Sequence, residues 1–172
     1  MILNPQKLRQ TYCSYRPFKL PIMHGNEVEE GDIVDWFDTN QGQGLADGGL
    51  ISTAQDINRF LKKLFSEGSV ISANSLKLMK SSVKDYGYGM GVEVQKKQGV
   101  EVLGHLGTLK GHRTHAYYLP QFNSTLVIAT NITDSDLSVQ EKYEIIVTNL
   151  LHRILDILQK EYKDRPYKFR VR

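Results

Sequence analysis

Three of the five histidines, His105, His112 and His115, fall within eleven residues, a crowding that raises two chemistries, metal ligation and proton transfer. In extended chain the side chains alternate, so His112 and His115, three apart, point to opposite faces. No His-x-His or His-Glu-x-x-His string sets two imidazoles on one side, and neither a zinc site nor any other cofactor is expected. His105-Leu106-Gly107 is more specific, because a glycine on a strand edge lets another backbone, or a substrate amide, come within hydrogen-bonding distance. Taken alone it fits a β-bulge equally well. Ser81-Ser82-Val83-Lys84 has the spacing of a serine nucleophile and its lysine. With 11 serines and 14 lysines in 172 residues, about one such string arises by chance, so it has little weight.

The elements that must position these residues follow from periodicity. The first ~50 residues show no sustained period: Pro5, Pro17 and Pro21, scattered acids and the glycines 42, 44, 48 and 49 read as an irregular segment, 1–49. Ser52 or Thr53 can cap a helix over 54–66, with Asp56 in the capping-box position and Ile57, Phe60, Leu61, Leu64 and Phe65 on one stripe. A shorter helix starts behind Ser72 and carries Leu76 and Met79 inward. Tyr86 to Val94 alternates like a strand, Lys96 to Gly99 reads as a turn, and Val100 to Leu103 resumes extended structure. His112 to Leu119 is a further strand, closed by Pro120 to Asn123. Ser124 to Thr130 has the near-continuous apolar run of a strand buried on both faces. Tyr143, Ile146, Val147, Leu150, Ile154, Ile157 and Leu158 then recur at helical spacing, so a long helix over about 139–160 is expected to cover the sheet. The fold class is α+β, with an antiparallel sheet of about three strands, helices preceding it and the long helix packed on it.

Composition narrows the function classes. With 40% apolar and 24% charged residues the chain is globular. The net charge of +3 is spread along the sequence except for a tail, 164–172, with Arg165, Lys168, Arg170 and Arg172, so no nucleic-acid partner is expected. Cys13 alone allows no internal disulfide. No apolar run approaches the ~20 residues of a membrane span. Met1 to Arg16 lacks the layout of a signal peptide, which leaves the compartment open. Asn123-Ser124-Thr125 and Asn131-Ile132-Thr133 match glycosylation sequons, strings that chance also supplies.

Read in order, Leu45 to Leu61, Tyr86-Gly87-Tyr88-Gly89-Met90-Gly91, Gly104-His105-Leu106-Gly107, Gly111, Leu119-Pro120 and Val127-Ile128-Ala129-Thr130-Asn131 form a set. From about residue 40 to 160 the chain resembles the serine β-lactamase family, in its class C, D-Ala-D-Ala carboxypeptidase and esterase branch. The resemblance implies that His105-Leu106-Gly107 is the third catalytic motif in its His-x-Gly form. Leu106 then replaces the threonine of some relatives and removes a hydroxyl that could hold a substrate carboxylate. Thr108 would supply one oxyanion N–H and a carbonyl for the substrate amide, and His105 would assist electrostatically or in proton transfer. The family's Ser-x-x-Lys and Tyr-x-Asn segments precede the stretch that begins here at Leu45. Ser81 lies downstream of it, and this sequence holds no Tyr-x-Asn.

Residues 50–163 are therefore expected to be a partial β-lactamase-like domain, the C-terminal part of a penicillin-recognising serine hydrolase. In the complete enzyme the reaction would be acyl transfer from a β-lactam, a D-Ala-D-Ala peptide or a small ester, in a periplasmic or extracellular setting. Nucleophile, base and oxyanion donors act as one unit, so this chain alone is expected to be close to inert. The alternative is a degenerate, non-catalytic relative that serves as a binding or interaction module. The resemblance also implies that N-terminal strands complete the sheet beside Ser124 to Thr130. Without them that strand is an edge, and self-association through it, or through exchanged residues 1–40, is expected.

Overall fold

The computed structural model describes residues 23–36, 48, 50–81 and 87–164. Cys13, the Leu45–Asp47 stretch, Tyr86 and the tail from Arg165 lie outside these. Helix α1, Ala54–Phe65, starts where the spacing predicts: Thr53 is the N-cap, its hydroxyl oxygen accepting from the Asp56 N–H at 3.2 Å. Ser72 caps α2, Ala73–Lys80, in the same way through the Ser75 N–H.

The main sheet is antiparallel, with four strands in the order β3 (Glu93–Lys97), β4 (Val100–Leu109), β5 (His112–Leu119) and β6 (Ser124–Thr130). The expected count of about three is thus one short, and the reason lies around β3. The chain from Gly87 to Val92 turns back on itself instead of running extended. Gly89 N–H donates to the Val92 carbonyl and Val94 N–H to that of Gly87, both at 2.7 Å, with Gly87 and Gly91 at φ of 64° and 74°. Glycines that read as small positions in a strand are the corners of a turn. Lys96 and Lys97 in turn belong to β3, because Gln98 and Gly99, both at positive φ, suffice for a two-residue hairpin.

A second, three-stranded mixed sheet lies within and beyond the segment read as irregular. Strands β1 (Asn26–Glu29) and β2 (Asp32–Asp35) form a hairpin, and β7 (Ile132–Asp134) joins β1 in parallel. Strands this short and this acidic leave no period to detect.

Helix α3, Leu137–Asp164, covers one face of the main sheet, where Leu151 and Leu155 meet Val100, Val102, Tyr117 and Leu119. On the other face Leu103 and Tyr118 pack with Val92, Phe65 of α1 and Met79 of α2. The expected stripe on α3 is rotated: Val147, Leu151 and Leu155 are buried, whereas Ile146, Leu150 and Ile157 are exposed. Strand β6 ends the sheet order and runs beside α1; its Leu126, Val127 and Ile128 are half-buried, Leu126 packing against the core beneath α3. No helix among the described residues is long and apolar enough to cross a membrane.

Candidate functional site

Strand β4 outruns its neighbour on one side. Its pairing with β3 ends at Gly104, opposite Glu93, while its pairing with β5 continues to Leu109, opposite His112. From His105 onward the β3-side edge of β4 therefore has no strand paired to it among the described residues, and His105 to Leu109 are all exposed. The Leu106 N–H lies on that edge and donates to Oε1 of Glu93 at 3.2 Å. Residues two apart in a strand present their backbone groups to the same edge, so the N–H and carbonyl of Thr108 face the same opening. A Cβ on Gly107 would meet nothing within 4 Å, whereas one on Gly104 would collide with the Ala116 carbonyl. The two glycines thus have unlike reasons, close packing at Gly104 and open space at Gly107.

Side-chain alternation puts His105 and Gly107 on the face shared with Leu103, away from α3. There the Tyr88 hydroxyl lies 2.8 Å from Nε2 of His105, the rings edge-on at 81°, and Nδ1 of His105 lies against the Leu106 carbonyl. Glu93, nearly buried, is held on its other oxygen by Nε2 of Gln95 at 3.0 Å. Tyr88 and Glu93 were not legible as site residues, since a turn places the first and a hairpin register the second.

The far end of β4 is pinned by the small sheet. Lys110 reaches Glu29 at 3.0 Å and Glu27 at 3.2 Å and sits 3.9 Å above the Trp36 ring. Its hydrogen bond to Glu29 lowers that carboxyl below the usual range and raises the ammonium above its own. Gly111, at φ 76°, donates to Oγ1 of Thr133 at 2.8 Å, and a Cβ there would strike the Gly25 backbone. Thr108 thus lies between two anchors, Glu93 below it and Lys110 with Gly111 above.

The remaining candidates lie elsewhere. Ser81 donates its hydroxyl to the Leu78 carbonyl at 2.6 Å at the end of α2, and Lys84 lies outside the described residues. His112 and His115 occupy opposite faces of β5. His112 abuts Gly25, and His115 is buried beneath α3 beside Glu144. Burial pushes both imidazoles below their ordinary value. Among the described residues no group of three or more His, Cys, Asp or Glu could hold a metal ion.

Known structures share this fold. D-amino acid amidase from Ochrobactrum anthropi SV3, in complex with L-phenylalanine, superposes with a TM-score of 0.68 at 23% identity, over 85% of this chain and 45% of that one. A D-stereospecific amidohydrolase from Streptomyces sp. gives 0.57 at 26% identity, over 65% of this chain and 35% of that one. The chain therefore spans less than half the length of these solved relatives. The Beta-lactamase family model matches residues 4–149, a stretch that takes in both sheets and the open edge of β4. By that match the chain belongs to the beta-lactamase family.

Proposed function

We propose that this chain carries the sheet wall of an acyl-transfer cleft, as the C-terminal part of a penicillin-recognising serine hydrolase. The observation that carries the reading is the overrun of β4 past β3, which leaves the Thr108 backbone open on an exposed edge. Thr108 offers one N–H to an oxyanion and its carbonyl to a substrate amide, Gly107 leaves room for the substrate backbone, and His105 stands beside them. A second oxyanion donor and a nucleophile are needed, and Ser81, held at the end of α2, supplies neither. Substrates of the complete cleft are β-lactams, D-Ala-D-Ala peptides or small esters, and the amidase relatives add D-amino acid amides to that class.

The purified chain tests this with a chromogenic cephalosporin, a p-nitrophenyl ester and D-phenylalanine amide. No turnover above background is expected from the chain alone, while D-phenylalanine amide should shift the Gly107 and Thr108 amide resonances. Turnover that disappears in Ser81→Ala would overturn the reading.

A further inference from the structure

His105 has two ring nitrogens with neighbours of unlike chemistry. Nδ1 lies against the carbonyl oxygen of Leu106, an atom that can only accept a hydrogen bond, so in the neutral ring the proton belongs on Nδ1. Nε2 is then a bare lone pair, and the Tyr88 hydroxyl, 2.8 Å away, is the donor to it. We infer that Tyr88 is a positioning residue: it holds His105 as the Nδ1-protonated tautomer and caps the one nitrogen that could otherwise take a proton from a ligand. The inference rests on the reading of His105 as part of the cleft wall.

The turn before β3 is built for this contact. Gly87 and Gly91, both at positive φ, bend the chain so that Tyr88 bridges Glu93, the residue opposite Gly104. Tyr88 is consequently fixed to the same strand end that stops short of His105, with its ring edge-on to the imidazole at a centroid distance of 5.6 Å. Tyr88 is still 41% exposed, so the phenol forms the outer surface of the pair. With its single proton directed at Nε2, the Tyr88 oxygen presents only lone pairs outward and accepts from a ligand N–H. A proton bound for His105 has to pass through this oxygen, or Tyr88 has to turn aside.

Long-range proton–nitrogen correlation spectra of the full-length 15N-labelled chain test the assignment. They are recorded near pH 9, and a neutral ring is recognised by the unlike shifts of its two nitrogens. A His105→Gln spectrum identifies the signals. In the wild type, Nδ1 is expected at the protonated position and Nε2 at the unprotonated one. Tyr88→Phe should draw the two shifts together toward the average of exchanging tautomers, with the backbone amides of Val100 to Leu103 unmoved. A wild-type ring protonated on Nε2, or a Tyr88→Phe spectrum with the separation unchanged, would overturn the inference. A wild-type ring protonated on Nε2 overturns the inference even if Tyr88→Phe does not fold, and Tyr88→Leu then repeats the comparison of the two shifts. No substrate enters the measurement, so its outcome is separate from the outcome of the turnover assay.

Discussion

The guanidinium of Arg113, only 4% exposed, donates to Oε1 of Glu144 at 3.0 Å and so joins the middle of the main sheet to α3. It also lies 4.8 Å over the Tyr143 ring, whose hydroxyl is 3.3 Å from that of Thr130. Glu144 is half-exposed, so the pair is partly screened. Removing the carboxylate nevertheless leaves a buried cation short of a partner. Glu144→Ala is expected to destabilise by about 2 kcal/mol, read from urea melts at neutral pH. A change within error would mean that the Tyr143 ring and solvent suffice for Arg113.

Beneath the same helix, His115 is held below its ordinary value by burial, partly offset by Glu144, with Arg113 adding to the lowering and Glu93 opposing it. The Tyr117 hydroxyl, 3.3 Å from Nδ1 of His115, is pushed up to about 12 by burial and stays neutral. The unfolded chain takes up a proton on His115 near pH 6.5, before the folded chain does. The stability that depends on the neutral ring is therefore complete above about pH 6.5 and is lost as the pH falls below it. His112, lowered by burial alone, has the same sign. Denaturant midpoints should drop between about pH 7.5 and 5, and His115→Gln should shallow that drop. An unaltered slope in the variant would assign the drop to other groups.

Two aliphatic positions separate the covered face of α3 from the open one. Leu155 is fully buried, and Leu155→Ala is expected to cost about 2–4 kcal/mol through lost burial and the cavity left behind. Ile157 is 58% exposed, and Ile157→Ala should stay within about 0.5 kcal/mol in the same melts. Equal losses at both positions would indicate that Ile157 is covered in solution.

Strand β6 ends the main sheet, and its half-buried Leu126, Val127 and Ile128 make it an apolar edge. Such an edge is a template for a second chain. Light scattering over a concentration series up to ~100 µM should show self-association, weakened by Val127→Lys. A clean monomer throughout would mean that the edge is covered within the chain.

Elements whose residues repeat at a single period are legible in the amino-acid sequence itself. Thr53 and Ser72 cap their helices as the spacing predicts, and β5 and β6 have the bounds their residues mark. The rest is hidden for physical reasons. The rotation of α3 cannot be read because apolar residues ring the helix, so Ile146 and Ile157 look as buried as Leu151 and Leu155. The glycines at 87 and 91 alternate as a strand's small residues do, and only their positive φ reveals a turn. At the candidate site, His105, Gly107 and Thr108 stand out in sequence. Their supports, Tyr88, Glu93 and Lys110, do not, because each acts through a register or a loop closure.

The parallel pairing of β1 with β7 bears on how the chain comes to be folded during synthesis. Asn26 leaves the ribosome well before its partner Ile132, which follows only after the whole main sheet has been made. Closing so large a loop is entropically slow. The small sheet is therefore a late event, and until it forms Lys110 lacks Glu27 and Glu29 and Gly111 lacks Thr133. The top of β4 is left unclamped until β7 has been made, and a nascent chain stalled before Ile132 has the candidate residues in order along the sequence but not yet held in space.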